Sequence, residues 1–429
     1  MLTGIIAEFN PLHLGHESLM RFAKSLPNSE GVIVILSSNF TQRGSASIVD
    51  KFSRASMAVM AGADLVIELP FLYACSAGQD FSRGTVEILG RLGCVSRVAF
   101  GMENPEFDAA SLADVMAREP EGYREILRRE IGRGASFPKA VSIALEEIFA
   151  GSRDFITRPN NMLAVSYMAG IIRGGWKIEA VPFLRRRLSE NPSVSLREPP
   201  PLDMGGKGNI APPEKGERAS LLARGLVFGH SGRGEVTSRA IREDINGNSH
   251  MMPEYSREIL EDAKREGRLS DEGRLWPLLQ GVFIRSGAEE LRGIYGIDEG
   301  IEGLFLKHWK DSRGLDDFVG RCVCARYTRA HIRRRIVYIL LGLKRDNVRE
   351  AMNDAVPYAR VLAFNERGRE ILRMCRKTSR IPIITRLKDA EGATGKFFAE
   401  TEYRASQLYE LTVDKHNMSR ETQKVLQFP

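Results

Sequence analysis

The stretch Leu2-Thr-Gly-Ile-Ile-Ala-Glu-Phe-Asn-Pro-Leu-His-Leu-Gly-His16 decides the fold. It opens as an apolar run of strand length, is broken at Asn10-Pro11, and gives way to helical spacing over His16–Ser25. Three more runs of strand length follow, Val32–Leu36, Leu65–Leu69 and Val95–Phe100, with helical patterns over Lys51–Ala61 and Gly78–Leu92 between them. Strand, helix, strand in repetition predicts a parallel sheet with helices on both faces. Near-continuous apolar strands fit because such a sheet is buried on both sides. Right-handed crossovers then gather the loops after the strands along one edge, where ligands bind.

Working outward, residues 105–175 read as mostly helical and Lys177–Phe183 as one more strand. From Leu188 to Ala219 the texture changes, with Pro192, Pro199–Pro201, Gly205-Gly206 and Pro212-Pro213 and no apolar period. This composition predicts a mobile loop or linker, either an active-site flap or plain disorder. Beyond residue 250 helical spacing dominates. The best example is Thr328–Leu343, with Ile332, Ile336, Ile339 and Leu340 on one face. The expected division is an α/β domain over residues 1–247 and a mostly helical domain over 248–429.

Composition narrows the class. At 429 residues the chain is long enough for two or three domains, and 43% hydrophobic with 27% charged residues is a soluble globular mix. Apolar runs such as Ile336–Leu343 fall far short of the ~20 residues that span a bilayer. Leu2–Phe9 runs straight into a polar motif without a basic leader, so a cytoplasmic protein with no membrane partner is expected. Five scattered cysteines suit reduced, mostly buried thiols better than a disulfide framework. Cys322-x-Cys324 lacks a second Cys or His pair at zinc spacing, so no metal site is expected there. A net charge of +7 is a weak pointer to an anionic partner.

The turn at His13-Leu-Gly-His16 has a physical logic. Triphosphate must approach the backbone closely, and Gly15 leaves room for it. A helix N-terminus offers N–H groups, and two imidazoles donate to phosphate as an α-phosphorus becomes five-coordinate. The same histidines would also suit a structural cap or a metal pair. A second element, Thr237-Ser-Arg-Ala-Ile-Arg242, sets hydroxyls and an arginine at a helix start, as β- and γ-phosphates require; by itself it reads more readily as a capped surface helix. Together the two segments are the paired signature of nucleotidyltransferases and class I aminoacyl-tRNA synthetases.

Further short segments follow in order: Ser38-Asn-Phe-Thr-Gln-Arg-Gly44, Asp50-Lys51, Gly62-Ala-Asp-Leu-Val-Ile-Glu-Leu-Pro70, Phe81-Ser-Arg-Gly84 and Phe100-Gly101-x-Glu103. Then come Arg158-Pro-Asn-Asn161, Arg326-Tyr-Thr-Arg-Ala330 and Arg360-Val-Leu-Ala-Phe-Asn365. In this series the sequence resembles the tRNA(Met) cytidine acetate ligases along nearly its whole length. The resemblance implies a Rossmann-like HxGH nucleotidyltransferase domain with a parallel sheet, followed by a helical tRNA-binding domain. It also implies a two-step reaction. Acetate and ATP give acetyl-adenylate and pyrophosphate, and the wobble cytidine of elongator tRNA(Met) then takes the acetyl group as N4-acetylcytidine, releasing AMP.

By matching motifs, the resemblance places ATP at Ala7, Glu8, Phe9, Asn10, Pro11, His13, Gly15, His16 and Met20. His13, His16, Ser238 and Arg242 form its catalytic set. Gly101 would let adenine or ribose lie close. Asn160 and Asn161 start a helix after Pro159; a cap explains one of them and leaves the other for ligand. Of the Arg185–Arg187 triplet, Arg185 and Arg186 are assigned to the adenylate, the alternatives being a solvated basic turn or part of an RNA surface. Acetate is already anionic at neutral pH, so activation needs alignment and charge neutralisation rather than a general base. Mg²⁺ is expected to ride on the phosphates, since no dedicated carboxylate cage is visible.

The sequence departs from the family pattern at Leu188-Ser-Glu-Asn-Pro192, where an aromatic-His-Asp cluster is usual, and at Ser38, where glycine is usual. The tRNA surface is expected among the arginines between Arg321 and Arg345, at Arg326, Tyr327, Arg329, Arg333, Arg334 and Lys344. An ordinary solvated basic face is the alternative, made less comfortable by eight positive charges with no acid among them. Two rival functions remain at this level: a small-molecule adenylyltransferase with the same motif, and an RNA-binding protein with a vestigial nucleotide site. The sequence leaves the oligomeric state open.

Overall fold

The computed structural model describes residues 1–184, 237–298, 300–423 and 425–429. Arg185, Arg186 and the 188–219 segment therefore lie outside the described residues. The strands are β1 (Leu2–Ala7), β2 (Gly31–Ser37), β3 (Leu65–Leu69), β4 (Val95–Met102), β5 (Glu179–Leu184), β6 (Ala359–Phe364), β7 (Ile383–Ile384) and β8 (Leu426–Gln427). They form one sheet in the order β5-β4-β1-β2-β3-β6-β7, with β8 also pairing with β6. Strands β1 to β5 are mutually parallel, and β6 runs antiparallel to β3. The five strands expected from the first half of the sequence are present, each within about two residues of its expected ends.

Strand alternation splits the core in two. On β2, Ile33 and Ile35 face one apolar cluster while Val32, Val34 and Leu36 face the other. The second cluster lies under helices Leu14–Ser25, Lys51–Met60 and Glu254–Arg265. The first lies under Gly78–Leu92 and Pro159–Gly174 and continues into the second half of the chain. Burial on both faces is why these strands carry no polar alternation. No helix among the described residues is long and apolar enough to cross a membrane.

The expected division near residue 247 does not divide the sheet. The second half is mainly helical, yet it adds β6, β7 and β8 to the same sheet, and its apolar side chains join the first cluster. Strand β6 escaped the periodicity reading because Arg360 interrupts its apolar run.

Arg360 is buried at the centre of a charge cluster. Lys51 Nζ donates to Glu402 Oε1 at 2.7 Å and to Glu421 Oε1 at 2.9 Å. It also approaches Glu68 Oε1 to 2.5 Å, without hydrogen-bond geometry. Arg360 donates to Glu68 at 3.1 Å and to Glu421. All five side chains are buried. The three carboxylates converge closely enough to suggest a metal site, but the Lys51 ammonium occupies that role. Two cations face three carboxylates, so one proton completes the balance. Burial, together with the neighbouring Glu402, pushes the Glu68 pKa up to about 7.

Two outcomes follow from this cluster. Lys51→Met strands three buried carboxylates against one arginine and should lower the unfolding free energy by about 3–5 kcal/mol in urea titrations; a loss below about 1 kcal/mol would show that the cluster does not anchor the fold. Glu68 titrates near 4.5 when unfolded and at about 7 when folded, so its ionisation erodes stability as pH rises between those values. Glu68→Gln lacks that loss. It should gain stability relative to the parent chain from pH 4.5 to 7 and run parallel above; curves parallel throughout would exclude this assignment.

Candidate active site

Strand β1 lies between β2 and β4, so the strand order reverses beside it. The crevice at the ends of β1 and β4 is where ligands bind in such sheets. His13 is the N-cap of helix Leu14–Ser25 and forms a reciprocal capping box with His16. Gly15 N–H donates to His13 Nδ1 at 3.1 Å, and His13 N–H donates to His16 Nδ1 at 3.2 Å. The rings stack with centroids 3.6 Å apart, and Phe9 meets His16 edge-on. Because each Nδ1 accepts, each neutral ring carries its proton on Nε2. A Cβ at Gly15 would lie 3.0 Å from His13 Cε1 and displace that ring. The motif is thus a structural cap and a donor pair at once, two roles the sequence reading held apart.

The backbone acceptors of this turn are taken from outside. Glu8 O accepts from Arg54 at 2.6 Å, Asn10 O from Arg242, Pro11 O from Ser238 Oγ at 3.1 Å, and Leu12 O from Ser256 Oγ at 3.1 Å. His13 O accepts from His16 N–H at 2.8 Å within the helix. Asn10 Oδ1 meanwhile accepts from Ile48 N–H at 2.8 Å. With these carbonyls occupied, the turn is arranged to offer donors, as an anion site requires. Ser238 and Arg242 sit in the short helix Ser238–Glu243, capped by Thr237, and in this structure they fasten the turn.

Arg54 is the site residue that the sequence reading missed. It is fully buried and ties Glu8 O to Ser38 O, 2.6 Å from each. Burial lowers its pKa to about 10. Glu8 accepts from Gln42 N–H at 2.8 Å. Burial raises its pKa, opposed by that hydrogen bond and by Arg54, Arg43 and Arg242. Ala7 ends β1, and Phe9, Asn10 and Pro11 lie buried in the turn, the Asn10-Pro11 peptide being cis. Met20 is wholly buried in the core beneath the helix.

Across the crevice, Gly101 pairs with Phe183 near the end of β4. Neither asparagine caps the helix Pro159–Gly174, because Arg158 holds that position. Asn161 is fully buried: it accepts from Glu103 N–H at 2.9 Å and donates to Phe155 O at 3.1 Å and Asn104 Oδ1 at 3.2 Å. The expectation of a cap is therefore replaced by a brace on the segment after β4. Asn160 donates to Glu103 Oε1 at 2.5 Å, while Glu103 Oε2 is buried without a hydrogen-bond partner.

The model of the HIGH Nucleotidyl Transferase family matches residues 1–197 and 232–424. The tRNA(Met) cytidine acetate ligase of Clostridium perfringens is 30% identical over 419 residues, covering 95% of this chain and 94% of that one. The ligase of the same name from Caldanaerobacter subterraneus subsp. tengcongensis is 32% identical over 394 residues, covering 90% and 88%.

The chain belongs to the HIGH nucleotidyl transferase family, among the tRNA(Met) cytidine acetate ligases.

The fold is that of a solved relative: Thermotoga maritima TmcAL, in crystals with alpha-thio ATP, superposes with a TM-score of 0.82 at 24% identity over 99% of both chains.

Against this family background, the structure separates the basic residues expected at an RNA surface. Arg326, Arg329 and Lys344 are exposed, with Arg329 3.3 Å from Asp316. Arg333 pairs with Glu272 and Asp316, and Arg334 donates to Gln42 O at 2.8 Å. Burial lowers the Arg334 pKa. The Tyr327 ring is buried in the core with its hydroxyl 3.3 Å from Asp298 O, which replaces its expected place on the tRNA surface with packing. Helix Arg329–Leu341 thus presents Arg329 outward and uses Arg333 and Arg334 to hold the loop after β2 and its surroundings.

The capping geometry fixes a tautomer that is directly measurable. Long-range ¹H–¹⁵N correlation spectra near neutral pH should report His13 and His16 as neutral Nε2-protonated rings. An Nδ1-protonated signature at either would mean that the capping box is not the resting arrangement.

Proposed function

We propose that this chain activates acetate with ATP and transfers the acetyl group to the wobble cytidine of elongator tRNA(Met). The observation that carries the reading is the turn after β1, whose carbonyls are occupied from outside and whose two imidazoles hold their protons on Nε2. An acetate oxygen attacks the α-phosphorus, the bond to the bridging oxygen breaks, and pyrophosphate leaves. His13 and His16 donate to the phosphate oxygens as charge builds, and the N-terminus of helix Leu14–Ser25 adds its dipole. The cytidine N4 amine then attacks the acetyl carbon, AMP leaves, and the amine gives up one proton.

Other assignments have separate support. Glu103 Oε2 offers an unpaired buried acceptor suited to a ribose hydroxyl or the adenine amino group. Ser238 and Arg242 serve by positioning the turn, and they lie close enough to its backbone for their helix to adjoin the distal phosphates. Mg²⁺ would travel with the triphosphate, because the convergent carboxylates of the described residues are already engaged by Lys51 and Arg360. Arg326, Arg329 and Lys344 provide exposed cationic contacts for tRNA phosphates.

The test is ATP–pyrophosphate exchange with and without acetate, followed by transfer of labelled acetate to tRNA. Acetate-dependent exchange and labelled tRNA support the reading; exchange driven only by a phosphorylated small molecule would replace it with an adenylyltransferase. His16→Ala should reduce exchange by about a hundredfold or more while sparing tRNA affinity. The triple variant Arg326→Ala, Arg329→Ala, Lys344→Ala should leave exchange intact, weaken tRNA binding, and flatten its salt dependence by about 2–3 units of slope. Equal loss of both activities in both variants would refute the separation of roles.

A further inference from the structure

Cys94 immediately precedes β4, and Cys375 lies in helix Glu366–Thr378. Their sulfurs are 2.8 Å apart although 281 residues separate them in sequence. Cys94 is half-buried and Cys375 buried. The backbone on both sides is tightly held. Thr378 Oγ1 donates to Leu92 O at 2.7 Å, and Arg380 N–H donates to Arg91 O at 2.7 Å. Gly93 adopts φ +72°, and a Cβ there would lie 2.6 Å from Thr378 O. Two thiols held this way are already in direct contact, with the backbone on each side fixed against the other.

The two sulfurs differ in character. The hydrogen bond from the Cys375 thiol holds the Cys94 pKa below the usual cysteine value. The same bond, together with burial, raises that of Cys375. The half-buried Cys94 is therefore the better nucleophile, and the buried Cys375 is placed to resolve what the first step makes.

We propose that Cys94 and Cys375 form a peroxide-sensitive thiol pair whose oxidation covalently joins the first and second halves of the chain. Cys94 gives up its thiol proton, the thiolate attacks one oxygen of hydrogen peroxide, the O–O bond breaks, and the departing hydroxide takes up that proton as water. The resulting sulfenic acid is attacked at sulfur by Cys375. The S–O bond breaks, and the second hydroxide leaves as water with the Cys375 proton. Two thiols and one peroxide give one disulfide and two waters, the thiols losing two electrons together. The bond ties the start of β4 to the helix that follows β6. This is the end of the parallel strands opposite the His13–His16 turn, so nucleotide access is left open.

The test uses the full chain carrying Cys324→Ser, which removes the exposed thiol. It is treated with stoichiometric peroxide, alkylated and mapped by peptide mass spectrometry. A Cys94–Cys375 linked peptide, reversed by dithiothreitol, is expected, with the oxidised protein melting several degrees above the reduced one. Cys375→Ser should stop at a Cys94 sulfenic acid trapped by dimedone, with no rise in melting temperature. If peroxide leaves both cysteines alkylatable, or takes Cys94 to sulfinic acid while Cys375 stays free, the proposal fails. That readout needs no substitution within the pair.

Discussion

Lys51, Arg360, Glu68, Glu402 and Glu421 meet in one sealed cluster, and the arrangement of the whole chain turns on it. Lys51 begins the helix after β2, Glu68 lies on β3, Arg360 on β6, and Glu402 and Glu421 come from the C-terminal hundred residues. A buried charge is tolerated only when partners surround it. The second half cannot leave the sheet without exposing charges that match nothing else. The antiparallel β6 is thereby held against β3, where a mostly parallel sheet would otherwise end in an open edge.

The same cluster reaches the active site through hydrogen bonds. Ser38 Oγ donates to Glu402 at 2.6 Å, Asn39 Nδ2 donates to Ser406 at 3.2 Å, and Lys51 N–H donates to Asn39 Oδ1 at 2.7 Å. Ser38 thus gives the buried carboxylate an additional donor. From Ser38 O the path passes to Arg54 and on to Glu8 O, at the root of the His13–His16 turn. A helix near residue 400 therefore helps position a motif near residue 13. Donors for phosphate are useful only when fixed in advance, since reorganising them during reaction would cost part of the stabilisation they supply.

Arginine serves three physical purposes in this molecule. Arg54 and Arg360 are buried organisers, one directed at carbonyls and the other at carboxylates. Arg333 and Arg334 hold the loop after β2 and its neighbours from the second half of the chain. Arg326 and Arg329 remain at the surface. A linear run of basic residues carries no record of this partition, because helical periodicity gives direction relative to the helix axis but does not identify what packs there. Tyr327 illustrates the point: Arg326 and Arg329 beside it are basic and exposed, while its ring belongs to the core.

The sequence by itself determined the α/β class, the five parallel strands, the helices that cover them and the position of the His-x-Gly-His turn. Those features are local: apolar runs of strand length, a turn that breaks at Asn10-Pro11, and a His-x-Gly-His segment at a helix start. Tertiary structure alone decided that the second half completes the same sheet, that Arg54 and Arg360 lie inside, that Asn161 braces rather than caps, and that Cys94 meets Cys375. Each of these depends on partners tens to hundreds of residues away. A charged or polar residue is legible as buried only once the groups that compensate it are in place, and those groups are supplied by the fold.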